Sequence, residues 1–174
     1  MAIEDRIREL VRDIPDFPKP GIVFKDITPI LKSPEAMRGL VAHWKAAYAD
    51  RGLEAIAGVE SRGFLFGAAL ALEMDLPFIP IRKPGKLPAD TVSAEYELEY
   101  GTDAVEIHRD ALESGQKVLL IDDLLATGGT LEASARLVET VGGEIAAIAC
   151  VIELGFLNGR EKLPGRDIDC VLTY

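Results

Sequence analysis

Two adjacent acids, Asp122 and Asp123, close the apolar run Val118-Leu119-Leu120-Ile121, and a small, glycine-paired stretch follows: Leu124, Leu125, Ala126, Thr127, Gly128, Gly129, Thr130. A buried strand that delivers two carboxylates at its carboxyl end, then turns through glycines into a helix, puts them where open α/β sheets bind ligands. Free backbone N–H groups and the positive end of the helix macrodipole make residues 126–130 a cradle for a phosphate monoester, with Thr127 and Thr130 adding hydroxyl donors. No lysine follows the glycines and no GxGxxG occurs, so neither a P-loop nor a dinucleotide fingerprint is present. Carboxylates this close resist joint ionisation and need cationic or hydroxyl partners. A sugar diol with a bound divalent cation would supply both.

Two further stretches carry charge in places where it could act. Glu60-Ser61-Arg62-Gly63-Phe64 lies between an apolar strand and a helix, and reads equally as a capped helix start or as an anion-holding loop. Arg82-Lys83-Pro84-Gly85-Lys86-Leu87-Pro88 holds three cations and no acid in seven residues, where an even spread would place fewer than one. Such a run is often only a solvated face. Its place after a strand, inside the longest irregular stretch, favours capture of a polyanion by a loop able to close and exclude water. His43 and His108 have no evident partners, and Trp44 reads as core.

These stretches need a scaffold. Ile3, Ile7, Leu10 and Val11 recur at helical spacing, predicting an amphipathic helix that ends before Pro15. Pro15, Pro18, Pro20 and Gly21 then force an extended, turning segment with a short strand over 22–25. Ser33, Pro34 and Glu35 read as N-cap, first-turn proline and an acid at the positive end of a helix running to about residue 50, with Met37, Leu40, Val41, Trp44 and Tyr48 as its buried stripe. From residue 55 onward strands (55–59, 78–81, 118–121, 145–152) alternate with helices (63–73, 130–141). Near-continuous apolar strands separated by helices predict an α/β fold with a mostly parallel central sheet flanked by helices. The pattern fails over 82–101, which reads as a flexible loop with at most a short strand over 95–100.

A length of 174 residues without repeat or composition shift predicts one domain over 1–174, and 48% hydrophobic content supplies its core. The formal net charge of −10 has the wrong sign for binding nucleic acid or an anionic membrane. Cys150 and Cys170 lack CxxC spacing and clustered histidines, which removes a zinc site, and their apolar surroundings predict buried free thiols. The most apolar runs, 64–72 and 145–152, are too short to span a bilayer, and the charged residues 1–11 lack a signal peptide's apolar centre. A reducing, cytoplasmic setting is expected.

The 122–130 segment resembles the signature of the type I phosphoribosyltransferases, which use 5-phosphoribosyl 1-pyrophosphate (PRPP). The resemblance implies that family's fold, with a small amino-terminal hood over 1–34 and a flexible active-site loop over 82–101. It assigns the ribose hydroxyls to Asp122 and Asp123, and the 5′-phosphate to Ala126, Thr127, Gly128, Gly129 and Thr130. Residues 60–64 are similar to the family's pyrophosphate loop, with a cis peptide expected at Glu60-Ser61. Glu60, Ser61, Arg62, Arg82, Lys83 and Lys86 would then meet the leaving group.

Similarity to the adenine-specific branch of the family runs through Pro15-Asp16-Phe17-Pro18, residues 20–27, Gly85-Lys86-Leu87-Pro88 and Leu98-Glu99-Tyr100-Gly101. By that similarity Phe24 stacks on the purine, the backbone of Val23 and Lys25 reads its amino-bearing edge, and Leu124 lines the opposite face. Glu99 handles a proton at the purine imidazole, and Tyr100 closes beside the ribose. Lys25 stands where many relatives have arginine; a backbone read-out should keep adenine preferred. The resemblance also implies a Mg²⁺ cofactor held mainly by substrate and water near Asp122 and Asp123, with no direct protein ligand. Its implied small-molecule partners are adenine, PRPP, AMP and pyrophosphate, in a purine-salvage homodimer. Two rival functions are transfer to another base and non-catalytic PRPP sensing. The hood and residues 98–101 speak against the first, and the absence of a spare basic domain against the second.

Overall fold

The structure, a computed structural model, describes residues 2–98 and 101–174. The amphipathic start forms α1 (Ile3–Leu10), which buries Ile7. The proline-bounded stretch after it is more regular than its composition suggests: β1 (Arg12–Pro15) pairs antiparallel with β2 (Val23–Asp26), in register from Arg12 opposite Asp26 to Pro15 opposite Val23. Pro15 closes its strand, where a missing N–H is tolerated. A single turn, α2 (Thr28–Leu31), leads to α3 (Pro34–Tyr48), capped by Ser33, whose Oγ accepts the Ala36 N–H at 3.2 Å. The buried face of α3 is Ala36, Leu40, Trp44 and Tyr48, with Met37 and Val41 partly covered.

The alternating part comprises β3 (Ala55–Val59), α4 (Arg62–Met74), β4 (Phe78–Ile81), β5 (Thr91–Glu97), β6 (Thr102–His108), β7 (Lys117–Leu125), α5 (Gly129–Thr140), β8 (Glu144–Glu153) and β9 (Ile168–Thr173). Five of these strands form one sheet in the order β4-β3-β7-β8-β9, with every pairing parallel. One sheet face packs beneath α1, α3 and α4 through Trp44, Phe66, Leu70 and Ile121, with the Trp44 and Phe66 rings edge to face at 6.1 Å. The other packs beneath α5 and the β5–β6 pair through Leu120, Leu137, Ile148 and Ile107. Each fully buried side chain of this size contributes roughly 1.5–3 kcal/mol, so the sheet is a stiff platform. The cysteines are free and lie opposite each other on β8 and β9; Cys150 is buried as expected, while Cys170, on the sheet's edge strand, is only half-buried.

The stretch read as an irregular loop departs most from expectation. Residues 91–97 form β5, antiparallel to β6 from Thr91 opposite His108 to Glu97 opposite Thr102, so the strand lies earlier than 95–100. Ala94, Tyr96, Val105 and Ile107 are buried and Val92 packs beside them partly covered, and the polar and charged residues between them hide the alternation. Among the described residues no helix is long and apolar enough to cross a membrane.

Candidate active site

The site is built at the carboxyl ends of β3 and β7. β7 runs four residues beyond the expected 118–121, so Asp122 and Asp123 lie within the strand, 8% and 6% exposed. The first turn of α4 lies directly against them. A Cβ on Gly63 would stand 3.0 Å from both Asp122 Oδ1 and the Ile121 carbonyl, so only glycine fits there comfortably. Beyond Leu125 the chain turns through residues 126–128, with Gly128 at φ +84°, and α5 opens at Gly129. That left-handed glycine lets the strand pass abruptly into a helix whose first N–H groups are free for an anion.

The acid pair finds its cation inside the protein. Arg62 Nε donates to Asp123 Oδ2 at 2.5 Å, and the Asp123 N–H donates to Asp122 Oδ1 at 2.8 Å. Burial, reinforced by the neighbouring Asp123, pushes the Asp122 carboxyl well above the usual carboxylate range. Burial thus disfavours the charged form of Asp122, while Asp123 keeps a cation partner, and both effects ease the burial of two adjacent acids.

The Glu60-Ser61 peptide bond is cis, as the resemblance implied. The Glu60 carboxylate accepts from Arg82 Nε and Nη2, both at 3.1 Å, and from the Lys83 N–H at 2.9 Å; the Arg82 bonds hold it below its ordinary value. Arg82 is therefore occupied by Glu60 and by the Lys86 carbonyl, and Lys86 itself is exposed. Lys83 Nζ donates to the Tyr96 hydroxyl at 2.9 Å and to the Asp103 carboxylate.

A cavity of about 310 Å³ joins these parts. Of the residues singled out in the sequence it gathers Glu60, Ser61, Arg62, Lys83, Asp122, Asp123, Leu124 and residues 126–130. Arg82 and Lys86 are not in its lining. Neither are Val23, Phe24 and Lys25, which sit on β2: Phe24 meets Phe17 edge-on at 5.2 Å, Val23 is 51% exposed, and Lys25 Nζ bonds Asp13 at 2.7 Å above the Tyr174 ring. Glu99 and Tyr100 lie outside the described residues. His43 and His108 are not in the lining either: His43 faces Asp169 at 3.4 Å, and His108 Nε2 accepts the Ala89 N–H.

Tyr96, which lines the cavity, escaped the sequence reading. Its signal was an aromatic at an inward position of a strand otherwise alternating with acids. Its ring lies over the start of α5, where a Cβ on Gly129 would stand 3.3 Å from Cδ2.

Residues 26–171 match the phosphoribosyl transferase domain family, so the cavity at the carboxyl ends of β3 and β7 lies within a domain of that class. The chain is 54% identical over 174 residues to the adenine phosphoribosyltransferase of Caldanaerobacter subterraneus subsp. tengcongensis, covering 100% of both. Its fold superimposes on the crystal structure of adenine phosphoribosyltransferase from Thermoanaerobacter pseudethanolicus with TM-score 0.95 at 53% identity, covering 98% of this chain and 99% of that one. The Trypanosoma brucei enzyme, solved in complex with AMP, pyrophosphate and ribose-5-phosphate, superimposes with TM-score 0.92 at 26% identity, covering 99% of this chain and 80% of that one. The chain belongs to the adenine phosphoribosyltransferases.

Proposed function

We propose that this protein transfers the 5-phosphoribosyl group of PRPP to adenine, giving AMP and pyrophosphate in purine salvage. The observation that carries the reading is the convergence of three sequence-distant pieces, residues 60–62, Lys83 and residues 122–130, on one cavity. Breaking the C1′–O bond of PRPP develops positive charge on the ribose and negative charge on pyrophosphate, so the protein's task is to hold separated charges in place. Residues 126–130 grip the 5′-phosphate, and Asp122 and Asp123 take the ribose hydroxyls. Arg62, Lys83 and the backbone of 60–62 receive the leaving group, with Arg82 and Lys86 approaching when their loop closes. The β1–β2 pair brings Phe24 and the backbone of Val23 and Lys25 over the purine, opposite Leu124. Glu99 takes the proton that N9 attack releases from the purine imidazole, and Tyr100 closes beside the ribose.

Among the described residues no group of three or more His, Cys, Asp or Glu side chains is placed to hold a metal. The cavity instead offers two neighbouring carboxyls, one engaged by Arg62 and one whose charged form burial disfavours. That donor set fits a Mg²⁺ ion coordinated chiefly by substrate oxygens and water near Asp122 and Asp123. When bound, it would neutralise charge on the pyrophosphate. We place the reaction in the cytoplasm, in a homodimer. Leu65 and Leu72, 47% and 86% exposed along α4, are the surface a second copy would cover, and sedimentation equilibrium tests this.

The deciding experiment incubates the protein with PRPP and Mg²⁺, offers each nucleobase separately and follows pyrophosphate release. Turnover with adenine alone is expected. PRPP binding without turnover on any base would overturn the reading in favour of a PRPP sensor, and turnover on another base would overturn the assignment of adenine.

A further inference from the structure

We propose that Gly159, Arg160 and Glu153 form a brace that sets the position of the 126–130 loop, and through it the affinity for the phosphorylated ribose. The inference rests on the reading of that loop as the 5′-phosphate cradle. Two backbone segments far apart in sequence meet there without room for a methyl group on either. A Cβ on Gly128 would stand 2.2 Å from the Gly159 carbonyl oxygen, and a Cβ on Gly159 would stand 2.2 Å from the Ala126 carbonyl oxygen. The fit is mutual, so moving one segment moves the other.

Gly159 is itself fastened to the sheet by its neighbour. Arg160 Nε and Nη2 donate to Glu153 Oε1 and Oε2, both at 2.8 Å, and Arg160 Nη1 donates to the Ile168 carbonyl at 3.1 Å. Glu153, 7% exposed, is the last residue of β8, the strand beside β7, and Ile168 is the first of β9. A planar guanidinium bound on two edges has little freedom left, and a bidentate pair of this kind fixes direction as well as distance. Leu163, 3% exposed, pins the far end of the same turn. Neither Glu153 nor Arg160 lines the cavity. They are positioning residues: the ends of β8 and β9 hold Arg160, Arg160 holds Gly159, and Gly159 stops the cradle from relaxing away from the phosphate. A cradle of backbone N–H groups works only if its geometry is fixed before the ligand arrives.

The test compares the parent with Gly159→Ala and Arg160→Lys as full chains. Calorimetry gives binding of ribose 5-phosphate and of pyrophosphate, and steady-state kinetics give kcat and KM for PRPP and adenine. Gly159→Ala should weaken ribose 5-phosphate binding and raise the KM for PRPP by about tenfold, leaving pyrophosphate binding, the KM for adenine and kcat within about threefold. Arg160→Lys, which keeps the charge and loses the fork, should move the same two quantities by roughly three- to fivefold. Should Gly159→Ala fail to fold, Arg160→Lys decides alone. Ribose 5-phosphate affinity within twofold of the parent would overturn the brace, as would an equal loss for both ligands, the mark of general loosening. A parent that binds no ribose 5-phosphate at all would overturn the cradle reading, and the brace with it.

Discussion

The cavity has two walls made by opposite means. The wall at the ends of β3 and β7 is buried strand, close glycine contact and backbone: its acids are 8% and 6% exposed, Gly128 leaves no space for a side chain and Gly63 only a tight one. The wall from the β4–β6 region, with the β1–β2 pair further out, is held by side-chain ion pairs at partly exposed positions: Arg82 with Glu60, Lys83 with Asp103, Arg12 with Asp26 and Lys25 with Asp13. Exposed pairs contribute roughly 0–1 kcal/mol each, so a ligand phosphate can replace a carboxylate at little cost. The β7–α5 part of the first wall suits the part of the substrate that is common to reactant and product, the ribose 5-phosphate, while Arg62 at its β3 end faces the leaving group. The second suits groups that arrive and leave.

That division predicts where chemistry and where binding will fail. The largest effect should come from the residue proposed to take part in the chemistry itself. Glu99→Gln removes the proposed proton acceptor and should lower kcat by about 10²–10⁴-fold, with the KM for PRPP changed only a few-fold. Single-turnover kinetics at saturating PRPP measure this, and near-normal turnover would remove Glu99 from the mechanism.

Next comes Arg62→Leu, which strikes the first wall at its one exchangeable-looking member. Arg62 is half-exposed, but its partner Asp123 is buried. Losing the cation leaves an uncompensated carboxylate beside a second acid, so kcat/KM for PRPP should fall by about 10²-fold. The melting temperature should fall too. A variant with normal stability and PRPP kinetics would show that Arg62 is only a surface cation.

The same division explains what the sequence disclosed. Residues 122–130 were legible because buried strands read as unbroken apolar runs and because a glycine-rich strand-to-helix turn has few other uses. The pyrophosphate side was legible from residue types alone as an excess of cations, and over 60–64 through its family resemblance, including the cis Glu60-Ser61 bond. The sequence shows three cations over 82–88 but not that Arg82 turns back onto Glu60, since that pairing depends on β3 and β4 lying side by side. The β5–β6 pair was illegible because an antiparallel pair with one wet face shows only every second residue to the core, and a few inward residues among charges are a faint signal. β1 was hidden by prolines that sit at its boundary, not in its interior. The contact between Gly128 and Gly159 had no local signature at all, because each glycine explains the other only once both are in place.

A smaller effect separates orientation from charge on the second wall. Tyr96→Phe keeps the ring over Gly129 and the Lys83 pair with Asp103, removing the hydroxyl that accepts from Lys83 Nζ at 2.9 Å and donates to Asp103 Oδ2 at 3.1 Å. The KM for PRPP and the inhibition constant of pyrophosphate should rise by about two- to fivefold at unchanged kcat. An unchanged pyrophosphate constant would mean that Asp103 alone directs Lys83.

The smallest effect is the one in which the two walls differ in sign. On the β1–β2 side Asp26 is lowered from 3.8 to about 2, first by its bonds from Arg12 and then by the Thr28 N–H. A depressed carboxyl adds stability that is fully present above its unfolded value and is lost as pH falls through about 2. Asp122 is displaced the other way by burial and by Asp123, so the folded protein holds a proton that the unfolded chain releases; its stability contribution is intact below 3.8 and declines as pH rises from there through the raised value. Chemical denaturation between pH 3 and pH 7 should therefore show Asp26→Asn less sensitive than the parent at the acid end, and Asp122→Asn less sensitive as pH rises. For Asp26 the change should stay below about 1 kcal/mol, because Arg12 is mostly exposed and water screens the pair. Slopes altered in the same direction by both substitutions would contradict the assignment of one wall's acid as raised by burial and the other's as lowered by its cation.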